Sequence, residues 1–109
     1  FRPAFGKHGG AVCSGVDVHV IDRSELRPVE VGLRLLQTIH DLDPTSFEWR
    51  HEPYEFVSEV PAIDLLTGSS AARTCIESGE RLEPLLERWR EDVNEFEAGL
   101  DGILLYHQL

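Results

Sequence analysis

The sequence KHGGAVCSGVDVHVID, residues 7–22, is the stretch that decides the fold prediction. Its three later valines occupy alternate positions, separated by Asp17 and His19, and a period of two residues is typical of a β-strand. The KHGG sequence before them combines two glycines with polar side chains, which lets the backbone come close to a ligand or another chain. We therefore predict a central strand over residues 14–22, preceded by a glycine-rich loop over residues 6–10.

A helical pattern follows the predicted strand. Pro28 suits the first turn of a helix, where its missing N–H leaves no hydrogen bond unmade. Apolar residues then recur at every third or fourth position as far as Leu42. Pro44 ends the pattern, because a residue that precedes proline avoids helical geometry. The sequence predicts a helix between these two prolines, with Gly32 marking close packing against a neighbouring element.

Three further helices are predicted in the second half of the chain. A short one covers residues 62–66, and the next starts at Ser69 or Ser70, since serine often caps a helix N-terminus, and ends at Gly79. It is expected to turn three residues inward: Ala72, Cys75 and Ile76. A long helix then carries an acidic outer face and an apolar stripe. The stripe consists of Leu82, Leu85, Leu86, Trp89, Val93, Phe96 and Leu100.

Weaker strand patterns complete the fold prediction. They lie at residues 1–5, 47–50, 54–57 and 103–106. The section over residues 43–61 is rich in aromatic residues and prolines, so it either packs on the core or lines a binding surface. We predict a single-domain α+β fold, in which a small mixed or antiparallel sheet packs against helices.

Composition limits the classes of partner. The chain has 109 residues and a formal net charge of −10, from 20 acidic and 10 basic residues. A nucleic-acid site needs clustered Lys and Arg, and an anionic membrane surface repels a negatively charged chain. No run approaches the ~20 apolar residues of a transmembrane helix. We therefore expect neither nucleic-acid binding nor membrane insertion.

The first residue and the two thiols give further expectations. The chain starts at Phe1 and contains no methionine, which indicates a processed chain or a piece of a longer protein. Cys13 and Cys75 are predicted to be free, because cysteine is often a small core residue and a chain of this length has no need of a bridge. Their spacing leaves a disulfide open.

No local pattern of side chains identifies a reaction. The five histidines and two cysteines show no HxxxH or CxxC spacing, so we expect no metal and no cofactor. Asp22 and Asp64 lie beside apolar runs, which suits acid–base chemistry, but Asp22 also fits a turn or a pair with Arg23 or Arg73. His40 is expected to pack on the core. Enzyme, binding module and structural domain remain open on these patterns alone.

An ordered set of motifs resembles one family. The first motif comprises Phe1, Pro3, Phe5, Lys7, His8, Gly10, Cys13, Gly15, Val16, His19, Val20, Asp22 and Arg23. The later ones are RPV-x-x-GL-x-LL at 27–36, F-x-W at 47–49, PYE at 53–55, IDLLTGS at 63–69, a helix with Trp89 and Phe96, and LLY at 104–106. Together they resemble the C-terminal domain of the bacterial exo-β-N-acetylmuramidase (NamZ-like) family, formerly a domain of unknown function.

The resemblance implies a two-domain glycoside hydrolase that releases N-acetylmuramic acid from the non-reducing ends of peptidoglycan fragments. Residues 1–109 would be its C-terminal domain. A larger, Rossmann-like N-terminal domain, which this chain does not include, would be its partner and would supply the catalytic carboxylates. The fragment alone is then expected to be inactive, and an extracytoplasmic or secreted location would suit the substrate. The alternative is a non-catalytic interaction or carbohydrate-binding domain of another protein.

The predicted substrate contacts lie mainly in the glycine-rich loop. Muramic acid carries a lactyl carboxylate, so its site should contain a cation or converging backbone N–H groups. We expect Lys7, His8 and Gly10 to border the cleft between the domains and Tyr54 to stack on the sugar, while the catalytic residues stay unassigned. In the alternative interpretation, Lys7 is merely exposed and the loop shapes the domain contact. Under either view, an exposed apolar patch opposite the acidic helix face would mark the surface for the missing partner.

Overall fold

The computed structural model describes residues 1–100 and 103–105. The regular structure in this part of the chain is helical. The helices are α1 (Pro28–Leu42), α2 (Ala62–Thr67), α3 (Ala71–Glu77) and α4 (Glu83–Ala98). The short helix α3 is central, because it contacts both α1 and α2.

Proline and glycine set the helix bounds where the sequence predicts them. Pro28 is the first residue of α1, which ends at Leu42, shortly before Pro44. The short helix α2 is followed by Gly68, whose φ of 76° lies in the left-handed region that suits a helix C-terminus. These bounds are confirmed, because both residue types act through the local backbone alone.

A small core forms where α1, α3 and the start of α4 meet. Its buried residues are Leu33, Ala72, Cys75, Ile76, Leu82, Leu85 and Leu86. Ile76 and Leu82 are the largest side chains that are fully buried. The prediction that α3 turns its three apolar residues inward is therefore confirmed.

The predicted α+β fold is wrong, because the described residues contain no β-sheet, mixed or antiparallel. Residues 14–22 form no strand. Residues 14–21 make no backbone hydrogen bond with any other described residue. A strand requires a partner for its N–H and C=O groups. No described segment supplies that partner, so the alternating pattern remains without a sheet.

The weaker strand predictions are also wrong within the described residues. Residues 1–5 and 47–50 contain no strand, and Tyr54 and Val57 form only an isolated bridge. The last predicted strand is not formed over residues 103–105, and Tyr106 lies outside the described residues.

The aromatic section between α1 and α2 packs on the core. The Phe47 ring makes edge-to-face contacts with His40 and Trp49, at centroid distances of 5.3 and 4.8 Å. Trp49 in turn packs against the buried cluster. The packing alternative is therefore confirmed for Phe47 and Trp49, as is the packing role of His40, whereas Phe56 is fully exposed.

Of two other packing predictions, the first is wrong and the second is confirmed only in part. A Cβ atom added at Gly32 would meet no atom within 4 Å, so this glycine marks open space rather than close packing. The apolar stripe of α4 leaves the core after Trp89, because Val93 and Phe96 remain 53% and 68% exposed. No described element covers that end of the stripe.

Candidate functional site

Main-chain hydrogen bonds close the loop that carries Lys7, His8 and Gly10. The nitrogen of Phe1 donates to the oxygen of Cys13 at 2.9 Å, and the nitrogen of Cys13 donates back at 2.8 Å. Inside this closure, the nitrogen of Gly10 donates to the oxygen of Pro3 at 2.8 Å. The predicted glycine-rich loop is thus held by its own backbone, without a sheet beside it.

The loop presents a cation and an imidazole at the surface. Lys7 and His8 are both exposed, and Lys7 makes no ion pair with another described residue. His8 has a φ of 57°, in the left-handed region that is unfavourable for a side chain with a Cβ. Gly10, with a φ of 79°, adopts the same region without that cost. An unfavourable backbone conformation at a surface residue is a common feature of binding loops.

Tyr54 lies in a separate tight turn. It exchanges main-chain hydrogen bonds with Val57 at 3.0 and 2.9 Å, across Glu55 and Phe56, whose φ values are also positive. The Arg50 guanidinium lies 6.0 Å from the Tyr54 ring centroid, at the outer limit of a cation–π contact. The phenol is half-buried, so one part of the ring remains available.

The structure does not join Tyr54 to the Lys7–Gly10 loop. Among the described residues, no hydrogen bond, ion pair or aromatic contact links the two segments. The four predicted substrate contacts therefore lie on two separate surface segments, and their role in binding a sugar stays a prediction.

Among the described residues, Asp64 is the buried carboxylate, and it is held by Arg73. The guanidinium donates from Nε to Oδ1 and from Nη2 to Oδ2, at 2.9 Å each. Hydrogen bonds to Asp64, with a further contribution from Glu77, raise the pKa of Arg73. Asp64 thus serves as an ion-pair partner between α2 and α3, and it is not the isolated acid that its apolar surroundings predict.

Arg73 also takes part in a contact with Glu77 and Trp49 that the sequence did not predict. Its Nη1 donates to Glu77 at 3.2 Å, and the indole nitrogen of Trp49 donates to the other oxygen of Glu77 at 2.9 Å. Trp49 and Glu77 are 28 residues apart, in an irregular section and a helix. No spacing rule relates such positions, so sequence reasoning had no signal for the pair.

A second network joins α1 to the start of α4. Arg34 donates to Glu30 and to Glu83 at 2.9 and 3.1 Å, while Arg90 reaches Glu30 and Arg81 reaches Glu83, both at 3.2 Å. The pKa of Glu30 is lowered, chiefly by the hydrogen bond from Arg34. The pKa of Glu83 falls to about 2, first through its own backbone N–H and then through the two arginines.

Two aspartates form turns. Asp22 accepts hydrogen bonds from the hydroxyl and the N–H of Ser24 at 2.7 and 2.8 Å, which lowers the pKa of its carboxyl group and confirms the turn interpretation. Asp43 accepts from Ser46 and Thr45 after the end of α1, and its pKa is lowered as well. These carboxylates are held in the ionised form, whereas the general acid of a glycosidase needs a raised pKa.

Both thiols are free, as predicted. Cys75 is buried, and burial raises the pKa of its thiol, which makes it a poor nucleophile. The described residues contain no group of three or more side chains that could hold a metal ion. Among the described helices, none has the length and apolar character that crossing a membrane requires.

A groove of about 630 Å³ lies between the start of α1 and the second half of α4. Its lining combines the apolar residues Val29, Trp89 and Val93 with Arg27 and Arg90. Val29 and Val93 are more than half exposed, so the apolar stripe of α4 opens into this groove. Glu30 and Glu97 line the groove as well, so its surface is of mixed character and is not the purely apolar patch opposite the acidic face that is expected from the sequence.

Comparison with known proteins agrees with the motif pattern. The family model described as "Exo-beta-N-acetylmuramidase NamZ, C-terminal" matches residues 1–106. The peptidoglycan β-N-acetylmuramidase NamZ of Bacillus subtilis (strain 168) is 35% identical over 106 residues, which are 97% of this chain and 24% of the relative. No solved structure matches. The chain therefore belongs to the family of NamZ C-terminal domains.

Proposed function

We propose that this chain is the accessory C-terminal domain of an exo-β-N-acetylmuramidase that acts on peptidoglycan. The observation that carries the proposal is the family match over residues 1–106, together with the 35% identity to a peptidoglycan β-N-acetylmuramidase. The chain spans about a quarter of that relative's length. The remaining part of the parent protein, an N-terminal domain, is the proposed partner and the proposed source of the catalytic groups.

The state of the carboxylates supports an accessory role. Retaining and inverting glycosidases generally need one carboxylic acid that stays protonated near neutral pH and a second carboxylate on the other side of the scissile bond. Where a carboxyl pKa departs from its ordinary value among the described residues, it is lowered. Asp64, the buried carboxylate, is bound by a guanidinium. These groups suit folding better than proton donation.

The proposed contribution of this domain to the substrate site is the Lys7–Gly10 loop. Lys7 offers an exposed ammonium group for the lactyl carboxylate of N-acetylmuramic acid, and His8 and Gly10 shape the backbone around it. Tyr54 offers a half-buried ring for stacking on the sugar. In this proposal, the N-terminal domain brings the two segments to one cleft.

The whole open reading frame provides the first test. Its product is expected to release N-acetylmuramic acid from peptidoglycan fragments, while residues 1–109 alone release none. In the whole protein, Lys7→Ala should raise KM about tenfold, the effect of one charge-assisted hydrogen bond. Arg88→Ala removes an exposed cation from α4 and is the matched control, which should leave KM unchanged. An inactive full-length product would contradict the proposed function.

Calorimetric titration with sugars tests the proposed substrate contacts separately from the proposed activity. N-acetylmuramic acid and N-acetylglucosamine differ in the lactyl group, so calorimetry with both sugars isolates the carboxylate contact. Selective binding of N-acetylmuramic acid by the whole protein, weakened by Lys7→Ala, is the expected result. Equal affinity for both sugars would contradict the proposed contact between Lys7 and the lactyl carboxylate. It would not contradict the proposed muramidase activity, which rests on the family match.

A further inference from the structure

Residues 16–21 have the alternating pattern of a β-strand, but no other described segment pairs with them. The side chains of Asp17 and His19 lie on the same side, with Oδ2 and Nε2 3.2 Å apart, as expected for residues two apart on an extended backbone. The three valines between and around them are 71%, 51% and 48% exposed, and Ile21 is 99% exposed. Alternation places the three valines on one side, which is apolar and uncovered, and places Ile21 with Asp17 and His19 on the other side, which is mainly polar.

The backbone of this segment is uncovered as well. Residues 14–21 make no backbone hydrogen bond with other described residues. Extended segments with unpaired N–H and C=O groups and alternating side chains are templates for strand addition. Their β-branched residues favour a sheet over helix or loop. Six residues also match the usual length of a strand in a globular protein.

We infer that residues 16–21 add as a strand to the edge of a β-sheet in the N-terminal part of the parent protein. The inference rests on the proposed function, since that function supplies the N-terminal part. The aligned relative has about three quarters of its length outside the region that this chain matches, so there is ample chain to form such a sheet. A sheet edge in the same polypeptide is present at a high effective concentration, which a separate partner lacks.

Charge argues against a second copy of this chain as the occupant. Each copy carries a formal net charge of −10, so pairing two of them brings together two strongly acidic surfaces. A sheet with little negative charge, in contrast, can pair with the backbone of the segment without this repulsion. The layer that packs on that sheet can then cover the apolar side of the segment. The proposal therefore commits to the intact parent chain.

Amide hydrogen exchange, resolved residue by residue, tests the inference. Amides of residues 16–21 should exchange rapidly in the 109-residue chain. In the full-length protein, every second one should be slowed on the order of 100-fold, because an added edge strand directs alternate N–H groups to its partner. Equal exchange in both proteins would overturn the inference, and if the full-length protein remained active, the proposed function would still stand.

Two matched variants of the full-length protein identify the face that docks. Val18→Lys places a charge on the apolar side, and His19→Lys places one on the polar side. Only Val18→Lys should abolish the protection, and both should keep the helical circular dichroism, because this segment lies outside the core. Equal effects of the two variants would overturn the proposed docking face. Protection that appears in the short chain as its concentration rises would indicate self-association and would overturn the choice of occupant.

Discussion

Arg73 donates two parallel hydrogen bonds to Asp64, and this ion pair links α2 to α3. The side chain of Asp64 is 8% exposed and that of Arg73 is 24% exposed. A bidentate pair fixes both the distance and the relative rotation of the two groups. Apart from this pair, α2 is held by Ile63, which is partly buried and packs against the core cluster.

Asp64→Ala should lower the free energy of unfolding by about 2–3 kcal/mol. The substitution leaves Arg73 with only its ion pair to the more exposed Glu77, and this pair together with the partial exposure of Arg73 keeps the loss at or below the lower end of the range for breaking a buried pair. Urea unfolding followed by circular dichroism measures the change. The matched control is Glu52→Ala in the exposed Arg50–Glu52 pair, expected to stay within about 0.5 kcal/mol. Equal losses in the two variants would contradict the role given to Asp64.

Alanine at two glycines should have opposite effects. Gly32 lies within α1 and has open space around its Cβ position, so Gly32→Ala should stabilise the protein by about 0.5–1 kcal/mol through helix propensity. Gly68 has a φ of 76°, so Gly68→Ala should destabilise it by about 1 kcal/mol. Thermal unfolding of both variants measures the difference. Destabilisation by Gly32→Ala would instead support close packing at that position.

Ile76→Ala should cost about 3 kcal/mol, because it opens a cavity in a small core. Ile21→Ala removes the same atoms from a side chain that is 99% exposed and should change the stability of the 109-residue chain by less than about 0.5 kcal/mol. Denaturant titration of the two variants provides the comparison. A similar loss in both would mean that Ile21 is covered in solution.

Acid should weaken the contact between α1 and α4. The carboxyl pKa values of Glu30 and Glu83 are lowered in the folded state, that of Glu83 from 4.5 to about 2. Their contribution is complete above pH 4.5 and is lost as the pH falls toward 2, since protonation then favours the unfolded chain. The melting temperature should therefore decrease over this interval.

Arg34→Gln isolates the part of the acid effect that comes from this network. The variant removes hydrogen bonds to both glutamates, so its melting temperature should vary less between pH 5 and pH 2.5 than that of the unmodified chain. Some dependence should remain, because the backbone N–H of Glu83 is the largest cause of its lowered pKa. An unchanged pH profile would show that the network does not act through Arg34.

Part of the candidate site could be predicted from the sequence. The glycine-rich loop around Lys7 is present, and the motifs gave the family that the comparisons show. The Asp64–Arg73 pair and the Trp49–Glu77 hydrogen bond could not be assigned, because each joins elements whose relative positions follow from packing. The substrate contacts proposed for Lys7 and Tyr54 depend in addition on a second domain.

The sequence by itself determined the helices. Pro28, Pro44 and Gly68 act on the backbone next to them, and apolar spacing selects the buried side of α3 through contacts within a few turns. Only the tertiary structure decided whether residues 14–22 form a β-strand. A strand forms hydrogen bonds with another segment and not within itself. Alternating side chains therefore indicate that a segment suits a β-sheet, but the sheet forms only where a second strand lies beside it. The described chain provides no such partner, and the fold around these residues is helical.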